Sequence, residues 1–190
     1  MKKTTIKLLA LLTLIMVFSC KTPQKLEKTT GAVEISVPFS ESKYKTDKNF
    51  FRAKQVGKSM DLAAAKKIAI MNAKTELAGT INSTMKTVTD QYTNQRTVGN
   101  NEEFESKFEQ LARDVVNENL SDVRIMDEKI FKETDNKYTY WVAIEMSKQE
   151  VLKSMNNKIS KNKKLQLDYD KMKFEEVFNS EMTKLADEQN

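Results

Sequence analysis

The residue types that most often carry out chemistry are scarce in this chain, which has no histidine and a single cysteine. Ser-His-Asp and Cys-His nucleophilic sites are therefore excluded, and so are zinc and haem sites with histidine ligands. A hydrolase would need paired carboxylates, a Ser-Lys pair or a metal held by oxygen atoms. The search for a catalytic site is thus restricted to these three kinds of residue set.

Carboxylates cluster at 102–105 and at 175–176, where they could form acid/base pairs. We interpret both clusters as solvated helix faces, since a helix dipole also favours acidic residues at its N-terminus. Three aspartates lack the D-x-D-x-D-G spacing of a calcium loop, namely Asp122, Asp127 and Asp135. Ser and Lys are so common that adjacent pairs are expected by chance. We therefore expect a protein that is not an enzyme, with no catalytic residue, metal site or cofactor.

Cys20 ends an N-terminal segment that has three parts. A region containing lysines comes first, an apolar stretch over 8–18 comes next, and a small residue, Ser19, precedes the cysteine. Such a segment is too short for a membrane span and has the wrong flanks, so residues 1–19 are interpreted as a cleaved secretory signal.

The four residues Val17, Phe18, Ser19 and Cys20 resemble the lipobox of bacterial lipoproteins, although Phe18 departs from the small residue usual there. This resemblance implies that Cys20 becomes the first residue of the mature protein and carries the lipid. Because no other cysteine exists, no disulfide can stabilise the fold. Residues 20–48 are mainly polar and are interpreted as a tether.

The residues after the cysteine bear on localisation. Lys21 stands where an aspartate would suggest inner-membrane retention, and no acidic run comes after it to suggest export to the cell surface. We expect an outer-membrane protein that faces the periplasm. Loss of three lysines with the signal lowers the formal net charge from +5 to +2, so nothing calls for a nucleic-acid partner.

Residue periodicity predicts an α+β fold, in which a strand, a long helix, a second helix, a β-hairpin and a further helix form a small antiparallel sheet with its helices. An extra C-terminal helix completes the chain. A period-two pattern at 33–37 indicates either a short edge strand or an extended tether. The other predicted elements are a strand at 50–56, a helix from Ser59 or Asp61 to Val88, a loop at 92–101, a helix at 102–119, strands at 123–131 and 138–146, a helix begun by the capping box at 147–150, and a final helix at 168–187. The predicted core comprises Leu62, Ala69, Leu77, Phe108, Leu111, Val142 and Ile144.

Small, apolar and aromatic residues over about 50–158 resemble the LPP-twenty family of bacterial lipoproteins. The positions that match are Phe51, Arg52, Ala53, Gly57, Asp61, Leu62, Ala65, Ala69, Ala73, Leu77, Ala78, Tyr138, Tyr140, Trp141, Val142 and Ala143. The resemblance implies a small α+β domain and outer-membrane association, and it supplies no catalytic residue. The predicted organisation is thus a signal at 1–19, a tether at 20–48, a lipoprotein domain at 49–160, and a linker with a C-terminal helix at 161–190.

Two groups of aromatic residues are candidate contacts for a ligand or a partner. Tyr138, Tyr140 and Trp141 could form a stacking platform for a glycan or a peptide, although packing within a half-buried sheet explains them as well. Phe174 and Phe178 lie on an apolar stripe of the last helix, which must cover its own domain, pair with a second copy or dock on a partner.

We expect a lipid-anchored, non-enzymatic protein of the cell envelope, with a binding or scaffolding role in the periplasm. Its partners would be the membrane, through the anchor, and an envelope protein or a second copy. The alternative is a module that binds a small molecule or a glycan at Tyr138–Trp141.

Overall fold

The computed structural model describes residues 31, 35–95 and 102–189. The chain divides into two compact units, Met1–Ile35 and Ser36–Asn190. Only Gly31 and Ile35 of the first unit are described, so Cys20 and the predicted signal lie outside the described residues. The second unit contains every buried core residue in the described part of the chain.

The second unit combines a three-stranded antiparallel sheet with helices, which confirms the predicted α+β fold. The strand order is β1-β3-β2, so that the last strand in the chain is the central one. Short 3-10 turns precede β1 and β2. In chain order the elements are β1 (Phe50–Ser59), α1 (Leu62–Asn94), α2 (Glu102–Asn119), β2 (Arg124–Lys132), β3 (Tyr138–Ser147), α3 (Lys148–Lys161), α4 (Lys163–Asp168) and α5 (Lys171–Glu188).

Helix α1 lies across β1 and β3 and is held very close to the sheet. It begins at the N-cap Asp61, whose carboxylate accepts the Ala64 N–H at 2.7 Å. Its first turns bury a stripe of alanines, which leaves room for the strands to approach; these are Ala65, Ala69 and Ala73. Gly57 of β1 completes this contact, because a Cβ there would lie 2.2 Å from the Ala65 carbonyl oxygen.

The long helix continues past the loop predicted to begin at Tyr92. Tyr92 is instead fully buried, and its ring contacts Phe108, Tyr169 and Phe174 at centroid distances of 5.4 to 6.0 Å. Its hydroxyl accepts the Asp170 N–H at 2.8 Å. Packing between residues that are distant in sequence therefore extends the helix beyond the point where local polarity predicts its end.

The C-terminal helix α5 packs on its own domain rather than standing apart. The Lys148 Nζ donates to the Met182 carbonyl at 3.0 Å, and the Gln189 side chain accepts the Thr46 N–H at 3.1 Å. The linker predicted from residue 161 to the last helix is largely replaced by α4, and only Asn162 separates α3 from α4. Residues 161–190 are therefore part of the same compact unit.

The sheet face opposite α1 is covered by residues predicted to belong to the tether. Phe39 and Tyr44 are buried there with Ala143, and Trp141 packs against them. The Lys54 Nζ fixes this segment by donating to the Phe39 carbonyl at 2.8 Å. The folded unit thus starts at Ser36, not at 49, because the outer face of the sheet needs a cover.

Most of the predicted core is buried as one cluster. Leu62 is the exception, since it is 39% exposed in the first turn of α1. Leu111 is partly buried at the margin of the core. Residues 35–37 form no strand, and the rest of the period-two pattern at 33–37 lies outside the described residues.

Candidate interaction surface

The two edges of the sheet differ in what covers them. On the β1 edge, the Thr46 Oγ1 accepts the Arg52 N–H at 2.9 Å and donates to the Arg52 carbonyl at 3.3 Å. The Asn72 side-chain amide donates to the Val56 carbonyl at 3.0 Å. Side chains from the preceding segment and from α1 thus satisfy several main-chain groups that an edge strand leaves open.

The register shows which backbone groups of β2 point away from the sheet. The main-chain groups of Arg52 point outward, so those of its cross-strand partner Glu145 point toward β2. Alternation along β3 then directs the backbone of Lys129 and Phe131 toward β3. The N–H and C=O groups of Glu128, Ile130 and Lys132 therefore point away from the sheet; we call these three residues the β2 edge.

The Glu128 N–H donates to the Asp127 Oδ1 at 2.9 Å within the strand. No other element in the described part of the chain hydrogen-bonds to the outward groups of these three residues. Apolar side chains are exposed beside them, since Ile125 is 40%, Ile130 52% and Phe131 46% exposed. A register shift between Ile125 and Asp127 bends the first half of the strand. The second half, with its regular register, is an open edge with apolar side chains on both faces.

A groove of about 680 Å³ runs along the exposed side of α1. We call it the α1 groove; it is lined by Ala63, Lys66, Lys67, Ile70, Met71, Lys74, Thr75, Ala78 and Leu120. The Lys66 Nζ lies 2.9 Å from the Glu128 Oε1, so the groove borders the helix side of β2. The hydrogen bond from Lys66 holds the pKa of Glu128 below its usual value, and the same contact raises the pKa of Lys66.

Tyr140 lies beneath this ion pair on the central strand. Its side chain is 2% exposed, and its hydroxyl is the one buried side-chain polar atom without a hydrogen-bond partner in the described residues. The Lys66 Nζ lies 5.5 Å from the centre of its ring. Burial raises the pKa of the Tyr140 hydroxyl above its ordinary value.

The opposite face of the sheet carries a charged cluster with a structural role. The carboxylate of Glu145, 5% exposed, accepts from the Arg52 Nε at 3.1 Å and from the Arg124 Nε at 2.9 Å. The Phe50 ring lies within 6 Å of both guanidinium groups. Pairing with two arginines offsets the cost of burying this carboxylate away from water.

The predicted contact residues are placed differently from the expectation. Phe174 and Phe178 are 0% and 2% exposed in the domain core, which corrects their assignment as partner contacts. Tyr140 is buried as well, whereas Tyr138 and Trp141 are partly exposed on opposite faces of β3. Of the three coverings left open for the apolar stripe of the last helix, the structure shows packing on its own domain.

The described residues contain neither a cluster of metal-binding side chains nor a helix suited to span a membrane. Within 31, 35–95 and 102–189, no group of three or more acidic or cysteine side chains is placed to hold a metal ion. No helix in this part of the chain is long and apolar enough to cross a membrane.

Sequence reasoning did not identify the β2 edge. The three charged residues at 128–132, namely Glu128, Lys129 and Lys132, carry a signal for an exposed strand. Whether the outer edge of this strand is left unpaired, however, depends on the order of the strands in the sheet. Comparison with known proteins supplies no independent assignment, because no family model matches the chain and no curated protein matches it significantly.

Proposed function

We propose that this chain is a lipid-anchored protein of the outer membrane that holds an extended segment of another envelope protein on its β2 edge. It has no catalytic role in this proposal. The observation that carries the proposal is the open β2 edge beside the α1 groove, where main-chain groups and apolar side chains are exposed together. The resemblance of residues 50–158 to LPP-twenty lipoproteins implies the outer-membrane association that this proposal includes.

The anchoring part of the proposal rests on the sequence. A region with lysines, an apolar stretch and Ser19 precede the only cysteine in an order that fits a lipoprotein signal. Each buried acyl CH₂ contributes about 0.8 kcal/mol, so a multiply acylated Cys20 would hold the protein durably on the membrane.

The binding part rests on the physics of strand addition. An extended segment that adds to a sheet gains main-chain hydrogen bonds, while pockets for alternate side chains provide selectivity. At the β2 edge, Ile130 presents both an outward N–H and an exposed apolar side chain. A partner with alternating apolar residues would pair with β2 and direct one row of side chains toward the α1 groove.

The alternative of a glycan-binding platform at Tyr138–Trp141 has less support. Tyr140 is buried, and Trp141 packs on the opposite face from Tyr138 against the segment that contains Phe39. The three rings therefore do not form one flat surface on which a sugar could stack.

A crosslinking experiment in the intact envelope tests the binding part. A photo-reactive residue replaces Lys132, which lies on the β2 edge, and is combined with Ile130→Pro or Ile130→Val. The proline removes the outward N–H, whereas valine retains both the N–H and a β-branched side chain. We expect one crosslinked product that disappears with proline and persists with valine. Equal yields in both backgrounds would contradict strand addition, and a product of twice the chain mass would identify a second copy as the partner.

Membrane fractionation of Cys20→Ala tests the anchoring part. We expect this variant to lose its lipid and to appear as uncleaved precursor or soluble protein. Wild-type migration and retention in the outer-membrane fraction would contradict the lipoprotein assignment. Ser40→Ala, an exposed substitution near the start of the folded unit, is the control and should fractionate as the wild type does.

A further inference from the structure

Two large apolar side chains protrude at the turn between α4 and α5. Leu167 is 87% exposed and Met172 is 82% exposed, the highest values for large apolar residues in the described part of the chain. Their neighbours Leu165 and Phe174 are fully buried and fix the backbone on either side. The protrusion is therefore built into the fold, because burial of Leu165 leaves Leu167 on the solvent side of the short helix.

The same turn is rich in lysine. Between 161 and 173 the chain carries five lysines and two aspartates, and we call this segment the α4 corner. The Lys164 Nζ lies 2.9 Å from Glu103, and Lys171 and Lys173 pair with Glu175 and Glu176 at 3.7 and 3.2 Å. In the described part of the chain, Lys161 and Lys163 have no carboxylate within salt-bridge distance.

The other lysines around the α4 corner are partly neutralised, since Glu103 pairs with Lys107 and Lys164, and Glu118 pairs with Lys158. A groove of about 700 Å³ beside it is lined by Lys107, Lys158, Lys161, Lys163 and Lys164, with Asp114 as its acidic lining residue. Asp170 is occupied as the N-cap of α5, where it accepts the Lys173 N–H at 3.0 Å. Lys161 and Lys163 thus remain as cations without a carboxylate partner, and Lys163 lies one helical turn before the protruding Leu167.

We propose that the α4 corner contacts the surface of an anionic lipid bilayer, with Leu167 and Met172 entering the headgroup region and the lysines pairing with lipid phosphates. This contact rests on the proposed membrane anchoring, which would keep the protein near such a surface. Apolar residues flanked by lysines are the combination that binds membrane interfaces. A soluble phosphate would use the lysines alone and would leave Leu167 and Met172 in water.

Vesicle binding without the lipid anchor tests this proposal separately from anchoring. The processed chain from residue 20, with Cys20→Ser, is sedimented with vesicles of phosphatidylcholine alone or mixed with phosphatidylglycerol. We expect binding only to the mixed vesicles, weakening as salt rises. Lys161→Glu with Lys163→Glu should weaken binding by roughly tenfold or more. Lys67→Glu with Lys129→Glu reverses the same number of charges on α1 and β2, and it should have little effect.

The apolar part of the proposal has its own variant. Leu167→Ser with Met172→Ser should weaken binding to the mixed vesicles while leaving its salt dependence unchanged, since the lysines are retained. Inorganic phosphate, compared with chloride at equal ionic strength, should not displace the protein. Equal binding by the corner and control variants, binding that ignores phosphatidylglycerol, or specific displacement by phosphate would overturn the inference. Circular dichroism and melting curves establish that each variant is folded, and the outcome for Cys20→Ala in cells does not affect any of these results.

Discussion

The β1 and β2 strands flank the same central strand in the same antiparallel arrangement, yet their outer edges meet different surroundings. Thr46 and Asn72 bond to the outward groups of β1, and α1 covers one of its faces. The backbone of β2 at 128–132 has no such cover in the described residues, and its side chains are exposed. The comparison shows that the segments packed around a strand, rather than its pairing, decide whether its edge is available.

The two edges also differ in how they avoid unwanted pairing. β1 is closed by contacts, whereas β2 carries a register shift and the charged side chains Asp127, Glu128, Lys129 and Lys132. Charges and bulges disfavour indiscriminate edge pairing but do not remove the outward N–H and C=O groups. An edge of this kind suits a selective partner, because a matching segment must satisfy both the charges and the apolar side chains.

The largest expected effect on stability is at the contact between β1 and α1. Gly57→Ala should destabilise the fold by about 3 kcal/mol, because the new Cβ would meet the Ala65 and Ala69 backbone and force α1 away from β1. Gly79→Ala is the matched control, since nothing lies within 4 Å of its Cβ position and it should stabilise α1 by about 0.5–1 kcal/mol. Urea denaturation measures both changes. A Gly57→Ala protein as stable as the wild type would contradict the close contact between strand and helix.

Proline substitutions on β2 sharpen the comparison within one strand. Phe131→Pro should cost about 2 kcal/mol, because the Phe131 N–H points toward β3 and its hydrogen bond is lost. Ile130→Pro should cost less than about 1 kcal/mol, since that N–H points outward. Thermal melting of the two variants measures the difference. If Ile130→Pro were less stable than Phe131→Pro, the Ile130 N–H could not be the one that points away from the sheet.

A smaller effect is expected from opening the β1 edge. Thr46→Val should cost about 1–2 kcal/mol, because the main-chain groups of Arg52 would lose their partner beside a buried side chain. Thr75→Val changes an exposed hydroxyl on α1 and should stay within about 0.5 kcal/mol of the wild type. If denaturation gives equal values for the two variants, the bonds from Thr46 do not close the β1 edge energetically.

The last expected effect is a change of stability with pH at the end of the β1–β3 pair. The Lys148 N–H donates to the Asn49 carbonyl, and burial lowers the pKa of the Lys148 side chain to about 8. Between pH 8 and its ordinary value of 10.5, the unfolded chain binds more protons at this group, so its contribution to stability increases as pH rises. Lys148→Met should remove this rise relative to the wild type. Parallel profiles of unfolding free energy in this range would refute it, with Lys153→Met as the exposed control.

Local signals in the sequence predicted much of the fold. Ser147 caps α3 by accepting the Glu150 N–H at 3.3 Å, and Asn136 adopts a positive φ of 61° in the predicted hairpin. Tyr92 was misassigned to a loop because its stabilising neighbours, among them Phe174, are distant in sequence. These cases differ in range: a cap or a turn depends on adjacent residues, whereas the end of a buried helix depends on the residues that pack around it.

The candidate site was harder to predict than the fold. The sequence predicts that the apolar stripe of the last helix is covered, but it does not show whether the cover is its own domain, a second copy or a partner. The open edge at Ile130 required the strand order, because a hairpin sequence does not specify which of its strands becomes central. Pairing of β1 with β3 decides this, and the two strands are far apart in the chain.

Residue-resolved amide hydrogen exchange tests the central claim most directly, on the purified processed protein and on the crosslinked complex. The Arg52 amide, bonded to Thr46, should exchange slowly in both samples. The Ile130 amide should exchange quickly in the free protein and slowly in the complex, because strand addition would give its outward N–H a partner. An Ile130 amide that exchanges slowly in the free protein, or equally quickly in both samples, would contradict an open edge that receives a partner.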